Sequence, residues 1–105
     1  MNKEAVQKII ADHVVTIFSK TYCPFCTKAK NLFKELGVSA HILELDTMGE
    51  GSKIQALLQE ISGQRTVPNV YINGEHIGGC DDTMGLYKNG QLVKKLEAAG
   101  VSVNK

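Results

Sequence analysis

Tryptophan is absent from this chain, proline occurs only twice, and the acidic and basic residues nearly cancel to a net charge of +1. With 22% charged residues spread along the chain, nothing reads as an acidic tail or as a basic nucleic-acid-binding tail. No apolar run approaches the ~20 residues that span a bilayer. The first twelve residues mix Lys3, Glu4, Lys8 and Asp12 with apolar ones, which fits neither a secretory signal nor an acid-free transit peptide. The three cysteines are an odd number, so they do not read as a disulfide framework. A reducing compartment, the cytoplasm, is the expectation. Neither nucleic acid nor a membrane is expected as a partner, and the chain is expected to act as a monomer.

What is present suffices for one domain over residues 1–105, since 43% of the chain is hydrophobic. Repeats, linkers and low-complexity tracts are missing, and Gly and Pro punctuate short segments. Residues 2–12 carry Val6, Ile9 and Ile10 on one helical face, and Asn2 can cap them. Val14, Val15, Ile17 and Phe18 form a nearly continuous β-branched and aromatic run, which suits a strand buried on both faces. Pro24 sits where a helix would start, and Gly37 stops the Ala29, Leu32, Phe33, Leu36 stripe. Residues 41–45 read as a second strand. Ile54, Leu57, Leu58 and Ile61 form another helix, with Ser52 as its expected cap and Gly63 as its stop. Val70–Ile72 and Glu75–Ile77 flank Asn73-Gly74, the dipeptide of a type I′ hairpin. From Cys80 the chain reads helical, with a break at Gly90 and a face of Leu92, Val93 and Leu96. Strand-helix-strand followed by a hairpin implies an α/β fold, a small four-stranded mixed sheet flanked by helices on both faces.

The chemistry concentrates at Cys23-Pro24-Phe25-Cys26, after a strand and at a helix start. Residues three apart on a first helical turn bring their sulfurs within bonding reach. The helix start offers N–H groups without intrahelical partners, and its positive end favours a thiolate. Between Asp12 and Glu35 no acidic residue occurs, whereas Lys20, Lys28, Lys30 and Lys34 do; only Lys20 is expected to act locally. There are two rival readings. One is half a zinc site, but no second Cys pair exists, and Cys80, His13, His41 and His76 do not repeat a ligand spacing. The other is inert core cysteines, which suits Cys26 inside an amphipathic helix but hardly Cys23 before Pro24. A redox dithiol, with no metal, is the better reading.

Lys20-Thr21-Tyr22-Cys23-Pro24-Phe25-Cys26 resembles the dithiol segment of the glutaredoxin family, with Phe25 where Tyr is more common. Thr66-Val67-Pro68 resembles its cis-proline loop, and Gly78-Gly79-Cys80-Asp81-Asp82 its glutathione-binding turn. The three occur in family order. Thioredoxins share the fold but usually carry Trp where Tyr22 stands. The resemblance implies a thioredoxin-like fold and a glutathione-dependent thiol-disulfide oxidoreductase with Cys23 as nucleophile and Cys26 as resolving thiol. Glutathione would be the reductant, no cofactor would be bound, and the partners would be glutathionylated or disulfide-containing proteins. It also implies a glutathione site. Lys20 and Gln55 would hold the glycyl carboxylate, and the Val67 backbone would pair with the cysteinyl unit. The N–H groups of Cys80 and Asp81 would meet the γ-glutamyl carboxylate, Asp82 would take the ammonium, and Tyr22 would border the sulfur. Alone, Gln55 reads as a surface residue on the polar face of its helix, and only the resemblance gives it a role. Asp81 and Asp82 read also as ordinary helix-start acids, and Cys80 as a small, half-buried packing residue or a second redox thiol. A cluster-binding carrier dimer, as in some family members, is the second function class. Pro24 opposes it, because those members usually have a small residue there.

Overall fold

A computed structural model describes residues 1–104. Its elements are α1 (Lys3–Asp12), β1 (Val15–Ser19), α2 (Pro24–Glu35), β2 (His41–Glu44), a 3₁₀ turn (Leu45–Thr47), α3 (Gly51–Ser62), β3 (Asn69–Ile72), β4 (Glu75–Gly78), α4 (Cys80–Lys88) and α5 (Gln91–Ala98). The strand order is β2-β1-β3-β4, with β1 parallel to β2 and the other two pairings antiparallel.

β1 is central, and all five of its residues are buried, as its continuous apolar run requires. Its side chains alternate between two cores. Val15 and Ile17 pack with Leu32 and Phe33 of α2 and Leu92 and Leu96 of α5. Phe18 packs with Val6 and Ile10 of α1 and Ile54 and Leu58 of α3. Helices therefore cover both faces of the four-stranded mixed sheet, the expected α/β arrangement.

The local punctuation acts largely as its chemistry dictates. Asn2 caps α1 by accepting from the Ala5 N–H at 2.9 Å. Gly63 ends α3 in the left-handed region, at φ 82°. Asn73 and Gly74 both take positive φ, 51° and 81°, as a type I′ turn demands.

Two expectations change. Ser52 does not cap α3: the helix begins one residue earlier, at Gly51, and Glu50 holds the cap position without a side-chain bond. Gly51 is pressed onto the Leu45 carbonyl, where a Cβ would collide, so close packing against the 3₁₀ turn sets this helix start. Val14 lies outside β1 and is 40% exposed, because β1 meets β3 only from Val15 onward.

Candidate active site at the start of the second helix

β1 delivers the chain to the start of α2, and Cys23 is the residue at the junction. It is extended, at φ −87° and ψ 115°, and acts as the N-cap. The Cys26 N–H donates to the Cys23 Sγ at 3.3 Å, and the Thr27 N–H donates to the Cys23 carbonyl at 3.0 Å. Pro24 takes the first helical position, where its missing N–H loses no bond. The helix thus turns an otherwise unpartnered N–H toward the sulfur, the contact that the spacing implied.

The three thiols are free and differ in setting. Cys23 is half-buried, whereas Cys26 is wholly buried. Burial, with the adjacent Cys23 thiol, pushes the Cys26 thiol up to about 11, against the opposing donors of Ser19 and the Lys20 backbone. Burial also raises the Cys80 thiol, with the Lys28 charge acting against it. The lysine charge that acts on a thiol here is that of Lys28, at Cys80, whereas Lys20 reaches Cys26 through its backbone. Lys30 instead pairs with Glu44 at 2.8 Å.

Opposite Cys23 stands the Thr66–Pro68 loop, with a cis bond between Val67 and Pro68. The Cys23 Sγ lies 4.0 Å from the Val67 carbonyl oxygen. From there an open groove of about 330 Å³ runs past Phe25, Gln64 and Gly79 to Asp81 and Asp82. Thr66, Val67, Pro68 and Cys80 also line it. Its far wall is the start of α4, whose first N–H groups have no carbonyl one turn earlier to bond. The Asp82 carboxylate turns back to accept from the Gly79 N–H at 3.1 Å. Gly78, at φ +123°, must be glycine here: a Cβ would run into that carboxylate.

The structure thus brings Thr66, Val67, Pro68, Cys80, Asp81 and Asp82 together in the wall of one groove, with Val67 against Cys23. Lys20, Tyr22 and Gln55 are not in the groove wall. The Lys20 carbonyl accepts from the Cys23 N–H at 3.2 Å. Tyr22 is 71% exposed next to Cys23. The Gln55 amide donates to the Arg65 carbonyl at 3.1 Å, which braces the loop from behind.

Sequence reasoning missed three supports. Asp46 accepts from both the N–H and the hydroxyl of Thr21, tying the loop before Cys23 to the 3₁₀ turn. The Thr21 hydroxyl, then its N–H, hold the Asp46 carboxyl below the usual carboxylate range, with help from the Lys20 charge. Buried Asn69 donates to the Gln64 carbonyl at 3.2 Å and meets His76 Nε2 at 3.0 Å. Gln64 itself donates into the loop that carries Val67. No spacing signal marks any of these, because each contact depends on the folded path of a neighbouring loop.

The glutaredoxin family model matches residues 15–77, which include the dithiol, the Val67 loop and the hairpin. The chain belongs to the glutaredoxin family. This glutaredoxin is 51% identical over 94 residues to a glutaredoxin of Ricinus communis, covering 90% of this chain and 92% of the relative. It is 49% identical to glutaredoxin-C2 of Arabidopsis thaliana, covering all of this chain and 95% of the relative. Among solved structures it is similar to a buckwheat glutaredoxin–glutathione complex, with TM-score 0.91 and 43% identity over 94% of this chain and 90% of that one. Glutaredoxins are thiol oxidoreductases with the thioredoxin fold, and the four-stranded sheet described above is that fold. Among the described residues no helix is long and apolar enough to cross a membrane.

Proposed function

We propose that this glutaredoxin reduces glutathione-mixed disulfides and protein disulfides with glutathione as reductant. The observation that carries this is the contrast between the two active-site thiols: Cys23 is accessible and capped by a helix N–H, and Cys26 is buried and held protonated.

The Cys23 thiolate attacks the glutathione sulfur of a mixed disulfide. The S–S electron pair leaves on the substrate sulfur, which takes a proton, and glutathione stays on Cys23. A second glutathione thiolate attacks that sulfur, releasing glutathione disulfide and the Cys23 thiolate. With a protein disulfide, Cys23 forms the mixed disulfide with the substrate. Cys26 then loses its proton and displaces the substrate thiol, forming the Cys23–Cys26 disulfide, which two glutathiones reduce. Once Cys23 is in a disulfide, its thiol no longer raises the Cys26 pKa. Burial alone then opposes the Ser19 and Lys20 donors, which eases this second attack.

Glutathione fits the groove by charge. Its γ-glutamyl carboxylate suits the N–H groups of Cys80 and Asp81, and its ammonium suits Asp82. The extended cysteinyl unit suits the Val67 backbone between Thr66 and Pro68, with Tyr22 beside the sulfur. Lys20 and Gln55 would take the glycyl carboxylate; Gln55 must then keep or release its bond to Arg65. The partners are glutathionylated or disulfide-bearing proteins, and three cysteines without the pattern of a disulfide framework suit the reducing cytoplasm, with the chain acting as a monomer.

Turnover of a glutathionylated peptide, with glutathione disulfide production as the readout, tests this. The reading expects turnover that saturates with glutathione. Turnover supported only by a flavoprotein reductase, and not by glutathione, would replace it with a thioredoxin-type reading.

A further inference from the structure

Gln64 occupies an unusual position in the groove. Its single amide nitrogen donates to the Thr66 carbonyl at 3.1 Å and to the Pro68 carbonyl at 3.0 Å. An amide NH₂ has two protons, so both are used. The two carbonyls flank Val67. With both turned toward Gln64, the backbone groups left to meet a ligand in this loop are those of Val67, whose carbonyl already faces the Cys23 Sγ. The amide also reaches the opposite wall: a Cβ on Gly79 would lie 3.8 Å from Gln64 Nε2 and 3.6 Å from the Pro68 carbonyl oxygen. The Gln64 backbone is fixed in turn, since its carbonyl accepts from buried Asn69, whose Oδ1 meets His76 on β4.

The geometry points to Gln64 as a positioning residue for glutathionyl substrates: its amide clamps the carbonyls on either side of Val67 and so aims the Val67 backbone at the ligand. This rests on the reading that the groove takes glutathione. Gln64 touches no reacting atom, so it should govern binding of the glutathionyl group and leave the thiol chemistry of Cys23 alone. Neutral donors are required here, because a carboxylate facing two carbonyl oxygens repels both.

The experiment compares Gln64→Ala and the near-isosteric Gln64→Glu with the wild type. It measures KM and kcat for a glutathionylated peptide from pH 5 to 8, the Cys23 alkylation rate with iodoacetamide, and the melting temperature. Both variants should raise KM roughly tenfold at pH 7.5, the size expected for one or two lost hydrogen bonds, with Cys23 alkylation unchanged. The Gln64→Glu defect should shrink toward pH 5, where a protonated carboxyl can donate to one carbonyl again; Gln64→Ala should show no such recovery. An unchanged KM in both variants, or a Gln64→Glu defect that parallels Gln64→Ala at every pH, overturns the proposal. Failure of the wild type to turn over the peptide would remove the glutathione reading itself, and this inference with it.

Discussion

At Asp82 one carboxylate meets two demands. It caps α4 by accepting from the Gly79 N–H, and under the proposed function it also receives the glutathione ammonium. The two roles separate on substitution. Asn keeps an oxygen for the Gly79 N–H but loses the charge. Asp82→Asn should therefore stay close to the wild-type melting temperature, since the helix-end charge is worth only ~0.3–1 kcal/mol. Its KM for a glutathionylated peptide should rise roughly tenfold or more, the scale of a lost charge-assisted hydrogen bond. Asp82→Ala should show both defects. Normal kinetics in Asp82→Asn would reduce Asp82 to a cap. The same separation of roles is visible at the cysteines: Cys80, expected to be half-buried, is 6% exposed, so its thiol is shielded although it belongs to the groove wall.

Elements carry their own pH dependence. His13, the residue that ends α1, bonds the Ile9 carbonyl through Nδ1 at 2.8 Å. Its ring stacks on His41 at the start of β2, with centroids 3.8 Å apart and planes 6° from parallel. Burial, then the nearness of His13, lowers the His41 pKa; burial also lowers that of His76, against the opposing charge of Asp82. Below the unfolded value of ~6.5 the unfolded chain binds these protons more readily than the folded one, so stability falls as pH drops through that value. Denaturant unfolding should show this loss between pH 7 and 5, and His41→Phe, which keeps a stacking ring without a charge, should flatten it. An unaltered slope in His41→Phe would move the cause elsewhere.

The elements themselves were mostly legible, because their signals are local. Asn73-Gly74 needs only its own dihedrals, Gly63 only the helix it ends, and Cys23 only the three residues that follow. The start of α3 was not legible, because Gly51 is placed by contact with Leu45 rather than by a capping side chain. Gln64 and Asp46 stayed hidden for the same reason: their partners, backbone groups and the Thr21 hydroxyl, lie in loops whose path the fold decides. Gln55 was singled out only through a family resemblance; in the fold its amide bonds the Arg65 carbonyl, and the residue is outside the groove wall.

On the scale of the whole molecule, the sheet brings distant segments to one end. β1 presents Cys23, the loop before β3 presents Val67, and the turn after β4 presents the start of α4, so the site depends on β1, β3 and β4 being neighbours in register. Cores on both faces hold that frame: Phe18, Ile54 and Leu58 on one side, Ile17, Phe33 and Leu96 on the other. Within it the division of labour between the two active-site sulfurs is the central claim, and it predicts an asymmetry between substrates. The deciding measurement is the activity of Cys23→Ser and Cys26→Ser on a glutathionylated peptide and on a protein disulfide. Cys23→Ser should abolish both activities, because no other thiol is placed to attack. Cys26→Ser should keep or raise the first, since a second glutathione discharges Cys23. It should impair the second, where a resolving thiol one helical turn away outcompetes free glutathione by proximity. Loss of both activities in Cys26→Ser would contradict the account and would make the dithiol route obligatory for every substrate.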